Sequence, residues 1–299
     1  MTRDVHGILL LDKPLGMSSA GAVARAKHLF AAAKAGHTGS LDPLADGLLP
    51  VCFGEATKFG SHLLDADKTY EVTARLGERT ASADLESPVI EKRDLPEFSQ
   101  EGIAAALAEF PREYLQVPPM HSAIKQDGRP LYEYARAGEV RERAPRSIVI
   151  HELTLRDYRQ PDLRFRVRSS KGAYIRVLAE DIALRLGTIA HLTALRRVAV
   201  APFAPERLWT FAEIEQMELE QRRALLLPVD AALLACRRLD LTAGGVDAFR
   251  RGQTVEIAAD GPGTVRIYAA GGGFLGLGEV RETGRLVPLR LIAAPVNRA

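Results

Sequence analysis

The sequence predicts an α+β protein in two parts, on three observations. Strand-like and helix-like runs interleave from the N-terminus to about Arg238. After that, helical patterning stops at "AFRRG" and short β runs between glycines take over. One segment, "LRFRVRSSKGAYIR", alternates arginine with apolar residues in the two-residue rhythm of a strand. The 299 residues suit one large domain or two ordinary ones of ~150 residues each. A chain this long buries roughly three quarters of its unfolded surface and needs no covalent staples.

In chain order, "GILLLDKP" is a strand ended by Pro14, and "SSAGAVARAKHLFAAAK" is a helix capped by Ser18 or Ser19 and stopped by Gly36. Gly36 to Pro43 is then a loop. "KTYEVTARL" is strand-like, and "SQEGIAAALAEF" is a short helix capped by Ser99. "QVPPMHSAIKQDGRP" is a long irregular connection, rich in proline and glycine. "RSIVIHELTLRDY" and "LRFRVRS" are neighbouring strands across the turn "RQPD". "AYIRVLAEDIALRLG" is an amphipathic helix ending at Gly187, and "HLTALRRVAVAPF" returns to strand. "TFAEIEQM" opens a helix on the capping box of Thr210 and Glu213. The β runs of the last part are "TVEIA", "TVRIYAA", "FLGLGEV" and "RLVPLRLI".

Composition excludes several classes. Hydrophobic residues at 46% and charged residues at 26% mark a globular chain. Two cysteines, Cys52 and Cys236, make neither a disulfide framework nor a zinc set, and fit a reducing cytosol. The apolar run Ile8 to Leu11 is too short for a signal peptide or a membrane span. The "AAGGGFLGLGEV" stretch lacks the βαβ context of a dinucleotide site. Net charge is only +2, yet Arg141 to Arg176 holds ten Lys or Arg against four Asp or Glu, a local +6. That face is either plain solvated surface or a phosphate-contacting one.

The stretch that asks for chemistry is "GHTGSLDPLADGLL". Locally, Asp42-Pro43 is a good helix start, with Asp as N-cap and Pro at the first helical position. A metal site from His37, Asp42 and Asp46 lacks further convergent ligands. A glycosidase needs a second carboxyl across the scissile bond, and none stands out. A lone carboxylate between glycines suits covalent catalysis on a large substrate whose leaving group is kept and from which water is excluded.

These residues resemble the bacterial tRNA pseudouridine-55 synthases, the TruB family. "GHTGSLDPLADGLLPVCFGEATKF" resembles the family's aspartate signature, "GILLLDKPLGMSS" its lysine-proline motif and "DKTYEVTARLGERTASAD" its tyrosine motif. "PPMHSAIKQDGRPLYEYAR" resembles an inserted RNA-gripping segment, here about 115–146, and "SSKGAYIRVLAEDIALRLG" and "HLTALRRVAV" resemble the arginine and leucine motifs. The resemblance runs in order over nearly the whole chain. It implies a catalytic domain over 1–237 with a mixed, mainly antiparallel sheet, the pseudouridine synthase fold, and a small all-β PUA-like RNA-binding domain over 238–299. It implies Asp42 as the catalytic group, paired with Arg176, and Tyr70 stacking on the flipped base. Tyr174 and Leu195 would line the uracil pocket, His37 would hold the RNA loop open, and Lys13 and Pro14 would support the active-site loop. Taken without the resemblance, Tyr70 reads as a strand aromatic, Tyr174 and Leu195 fit ordinary core equally well, and the rival reading of Arg176 is one more arginine on a basic face. The partner implied is tRNA, through its T-arm stem-loop, for a cytoplasmic monomer with no metal, no cofactor and no obligatory protein partner. The alternatives are a guide-RNA-dependent dyskerin-like enzyme and a non-catalytic tRNA-folding chaperone.

Overall fold

A computed structural model describes residues 4–257 and 261–296. Strand β1 (Gly7–Lys13) leads to helix α1 (Ser19–Leu29), whose N-cap is Ser18, accepting the Gly21 N–H at 3.1 Å. The helix stops well before Gly36: Phe30 caps it and Ala31 turns to φ 50°. Ala35–His37 instead forms strand β2, because its backbone finds partners on β3 (Ala45–Phe53). A 3₁₀ turn over Gly54–Phe59 and helix α2 (Gly60–Asp65) then lead to β4 (Lys68–Leu76), the expected "KTYEVTARL". In β4 the side chains of Tyr70, Val72, Ala74 and Leu76 are buried, while Glu71, Thr73 and Arg75 face the other side, as a pleat demands.

The small pair β5 (Glu78–Thr80) and β6 (Val89–Lys92) precedes α3 (Gln100–Ala108), capped by Ser99 through the Gly102 N–H at 3.0 Å. Strand β7 (Glu113–Gln116) opens the irregular connection. There a two-residue hairpin, β8 (Lys125–Gln126) with β9 (Arg129–Pro130), and helix α4 (Leu131–Arg136) give it more structure than its composition suggested. Strands β10 (Arg146–Arg159) and β11 (Asp162–Ser169) pair across the expected turn. Helix α5 (Ile175–Arg185), strand β12 (Ala190–Val200), and helices α6 (Phe211–Glu215) and α7 (Leu219–Ala224) complete this part. The capping box of Thr210 and Glu213 is present on α6.

Seven of these strands lie in the order β1-β3-β12-β4-β11-β10-β7, with β2 added beside β3. The β12–β3 pair is parallel and the other neighbours are antiparallel, so the sheet is mixed and mainly antiparallel. Helices α1, α3, α5 and α6 cover one face over a continuous core that includes Leu9, Phe30, Val72, Phe165, Leu178 and Phe211. Strand β12, inserted between β3 and β4, brings the start of β3 close to the middle of β4. That placement builds the site.

The C-terminal part begins with β13 (Arg237–Leu241), which pairs in parallel with β15, and helix α8 (Ala243–Arg250), which covers the "AFR" run. Strands β14 (Val255–Glu256), β15 (Gly263–Ala269), β16 (Phe274–Val280) and β17 (Arg285–Val296) complete a five-stranded sheet. Ala258, the end of the expected "TVEIA" run, lies outside the described residues. Phe249, Ile267 and Leu286 centre a core of its own. A second cluster joins the two parts: Ile8, Leu48, Cys52 and Phe59 pack with Tyr268, Phe274 and Ile292. The rings of Phe59 and Phe274 meet edge-on at 5.5 Å. Lys58 Nζ donates to the Leu291 carbonyl at 3.0 Å across the same seam.

Candidate active site

Asp42 does not start a helix. The Ser19 hydroxyl accepts the Leu41 N–H at 2.7 Å and donates to the Leu41 carbonyl at 2.9 Å, which fixes the residue before Asp42. The Ala45 N–H then closes a turn on the Asp42 carbonyl at 3.0 Å, and the chain passes directly into β3. The Gly16 N–H donates to the Pro43 carbonyl at 2.8 Å, docking the loop after β1 onto the turn. Lys13, fully buried, holds that loop through the carbonyls of Pro14 (2.9 Å) and Met17 (2.7 Å), while Pro14 itself is exposed. Burial pushes the Lys13 amine below its ordinary value, and the charges of Asp46 and Asp42 oppose that shift. Gly47, at φ +94° within β3, stands where a Cβ would come within 2.3 Å of the Arg197 carbonyl.

Arg176, in the first turn of α5, meets this loop. Its side chain is 5% exposed, and Nη2 lies 2.9 Å from Oδ2 of Asp42, whose side chain is 43% exposed. The same guanidinium reaches Asp84 at 3.3 Å through Nη1, and Asp84 is 1% exposed. Nη1 also donates to the Ser82 carbonyl at 3.1 Å and Nη2 to the His121 carbonyl at 2.7 Å. The fork therefore does not grip both oxygens of one carboxylate. It bridges two carboxylates, one deep and one at the mouth of the pocket. The Ser82 hydroxyl and the Glu86 N–H, the latter at 2.9 Å, both donate to the other oxygen of Asp84. Glu86 sits at this cluster with its carboxyl pushed above the usual range, first by burial and then by Asp84 and Asp42.

Asp42, Tyr70, Tyr174, Arg176 and Leu195 line one pocket of about 310 Å³. Tyr70 (9% exposed) and Leu195 (7%) come from the neighbouring strands β4 and β12. Tyr174 is half-buried, and burial raises its phenol above the usual range. His37 stands at the end of β2 with its side chain exposed, outside the pocket wall. Among the described residues no three His, Cys, Asp or Glu side chains gather as metal ligands, and no helix is long and apolar enough to cross a membrane.

Four pocket-wall or neighbouring residues escaped the sequence reading: Asp84, Arg197, Lys68 and Gln116. Arg197 is 1% exposed and donates through Nε to the Leu48 carbonyl (2.7 Å) and through Nη2 to the Gly39 carbonyl (3.1 Å), tying both flanks of the Asp42 turn. A signal for it existed. Arg196 and Arg197 are adjacent in an apolar strand, so one of the two must point inward. Arg196 takes the outer face and pairs with Asp12 (2.8 Å) and Asp46 (3.0 Å). Asp84 carries no local signal, because its partner comes from α5.

The basic strand forms as expected: Arg164, Arg166 and Arg168 alternate with buried Leu163, Phe165 and Val167. Its charge is less free than the count implied. Arg166 pairs with Glu71 (3.0 Å), Arg168 with Asp67 (3.2 Å) and Lys171 with Asp65 (2.9 Å). These three acids lie outside the counted segment and offset half of its +6, and Arg176, buried against Asp42 and Asp84, leaves the free excess smaller still.

The chain is similar to known proteins over nearly its whole length. Residues 27–175 match the N-terminal domain of the TruB family pseudouridylate synthases. Residues 176–234 match the tRNA pseudouridylate synthase B C-terminal domain, and 238–292 a pseudouridine synthase II TruB C-terminal domain. The tRNA pseudouridine synthase B of Cupriavidus metallidurans is 49% identical, over 97% of this chain and 95% of that protein. The protein of the same name from Burkholderia mallei is 49% identical, over 97% and 98%. Among solved structures, a Cbf5-Nop10-Gar1 complex contains a chain with TM-score 0.72 and 26% identity, covering 96% of this chain and 84% of that one. An archaeal box H/ACA sRNP Nop10-Cbf5 complex contains another, with TM-score 0.72 and 25% identity, covering 98% and 87%.

Proposed function

Because this chain belongs to the TruB family of pseudouridylate synthases, we propose that it acts on the uridine of the TΨC loop of tRNA, uridine-55, with Asp42 as its catalytic group. The enzyme class is that of its relatives: an isomerase that converts uridine in tRNA to pseudouridine. The reaction breaks the C1′–N1 bond and joins the same uracil to C1′ through C5. Uracil leaves as a stabilised anion, so no strong acid is needed, and an activated water would divert the sugar. The chemistry calls for one ionised, aimed carboxylate in a pocket that closes around the base.

The observation that carries this reading is the bridge from Asp42 through Arg176 to Asp84 at the mouth of the pocket. A guanidinium held by a buried carboxylate is a fixed cation. It directs one oxygen of Asp42, leaving the other free to meet the flipped nucleotide. Tyr70 lies on the pocket wall where it can stack on the base, with Tyr174 and Leu195 closing the sides. Entry requires the uridine to leave its stack, and His37, exposed at the end of β2 outside the pocket wall, would hold the RNA loop open. Lys13 and Pro14 act from behind, on the loop that docks onto Pro43. Residues 1–237 form the catalytic body and 238–299 an RNA-gripping module, in a stand-alone cytoplasmic monomer that needs no cofactor.

The test is Asp42→Asn with unmodified tRNA and with a T-arm stem-loop. Asparagine keeps the turn and removes the charge, so turnover should vanish while RNA binding persists. Residual activity within tenfold of the parent would remove Asp42 from the mechanism. Failure of the unaided parent protein to form pseudouridine would favour a guide-dependent or non-catalytic reading.

A further inference from the structure

We propose that Gln116 is a positioning residue for this active site: its side-chain amide fixes the main chain of Tyr174 and so aims the turn of α5 that carries Arg176. The inference rests on the reading of Tyr174 and Arg176 given above. Gln116 is the last residue of β7 and is 2% exposed. The Tyr174 N–H donates to its Oε1 at 2.7 Å, and its Nε2 donates to the Tyr174 carbonyl at 3.1 Å. A neighbouring strand would make the same pair of bonds to a residue's backbone, and here one side chain replaces it. Tyr174 needs such a partner. It stands extended before α5, at φ −94° and ψ 107°, and the helix has no side-chain cap.

The amide can take only one orientation. Nε2 also donates to the Tyr114 hydroxyl at 2.9 Å, and that hydroxyl donates to Oδ2 of Asp181 at 3.0 Å. A carboxylate accepts, so the hydroxyl proton is committed to Asp181 and its lone pairs face Gln116. The chain of bonds thus runs from the entrance of α5 back to a later turn of the same helix. Gln116 is also where the irregular connection leaves the sheet. Five residues on, the His121 carbonyl accepts from Arg176 at 2.7 Å. The connection therefore touches the start of α5 at two points, and a force on it from gripped RNA reaches Tyr174 and Arg176 directly.

The experiment measures single-turnover pseudouridine formation at saturating enzyme, RNA binding by filter retention and thermal unfolding, with the parent protein in parallel. Gln116→Met keeps the shape and loses the amide. Its rate should fall about 10²-fold, the scale of a small misplacement of reacting groups, with RNA affinity within threefold. Gln116→Glu supplies the independent readout. While protonated, the introduced carboxyl can both accept from the Tyr174 N–H and donate to its carbonyl. Once ionised it repels that carbonyl; Asp181 favours the protonated form, while Arg146, opposite Gln116 on β10, and Arg176 favour the ionised one. The ratio of variant to parent rate should therefore fall as pH rises between 5 and 9. The proposal is overturned by a methionine variant within threefold of the parent rate. It is equally overturned by rate, affinity and melting temperature falling together, or by a ratio that is flat with pH. A parent protein that forms no pseudouridine would instead overturn the functional reading on which it rests.

Discussion

Replacing Arg176 by lysine keeps the charge and tests the geometry. The guanidinium offers two terminal nitrogens to two clusters: Nη2 serves Asp42 and the His121 carbonyl, and Nη1 serves Asp84 and the Ser82 carbonyl. An ammonium is a single point of donation on a flexible stem and can serve one cluster. It should stay with Asp84, because a carboxylate 1% exposed costs more to leave unpaired than one 43% exposed. Asp42 then keeps solvent contact but loses its fixed partner. A fall in rate of about 10²-fold, equal to about 2.7 kcal/mol of barrier, matches the loss of aim expected for a reacting group. Stability should change little. Arg176→Ala leaves Asp84 with the Ser82 and Glu86 donors but no cation in the interior, which should cost about 3–5 kcal/mol in unfolding and reduce the rate further. Single-turnover pseudouridine formation and denaturant unfolding separate the two effects. A lysine variant within threefold of the parent rate would show that the bridge has no orienting role.

Three further outcomes are expected. With less than half of the +6 left free on the basic face, log–log salt dependence of RNA binding from this surface should have a slope no steeper than about −3. A flat response would assign that charge to solvation alone. Deleting the C-terminal part from Arg238 strips Tyr268, Phe274 and Ile292 from their cluster with Ile8 and Phe59, so the melting temperature and solubility should fall along with RNA affinity. An unchanged melt would refute this shared core. Lys68, bonded to the carbonyls of Leu63, Leu64 and Ala66, has its amine lowered to about 8, first by burial and next by Arg197. The unfolded chain therefore binds more protons than the folded one from about pH 8 up to the ordinary 10.5. Lys68 costs most below that window, and the stability of the parent relative to Lys68→Met should rise through it. Parallel curves in guanidinium unfolding at pH 7 and pH 10 would contradict the burial argument.

Much of the fold was legible because its signals are local. The pleat of β4, the cap at Ser99 and the capping box at Thr210 each depend on residues within a few positions of one another. What failed depended on distant partners. Strand β2 is three residues long and exists by pairing with β3, so helical propensity from Ala31 onward misled. Asp42-Pro43 has the chemistry of a helix start, but Ser19 and β3 hold it as a turn. Resemblance singled out Asp42, Tyr70 and Arg176, and the structure brings them to one pocket from three separate segments. Asp84 and Gln116 were invisible, since an aspartate or a glutamine declares nothing until its partner is known.

The seam between the two parts of the molecule also constrains its birth on the ribosome. Lys58 and the Leu291 carbonyl that it holds are 233 residues apart in sequence, and the apolar cluster around them joins Ile8 to Ile292. At roughly 5–20 residues per second of synthesis, that gap lasts about 10–50 s. Throughout that time Ile8, Cys52 and Phe59 have emerged without Tyr268, Phe274 and Ile292, the last residues of the cluster that covers them. The finished protein hides an apolar flank that the nascent chain carries partly exposed until its last residues are made. Late truncations should then be recognised by the cell as misfolded from their N-terminal half, far from the lesion itself.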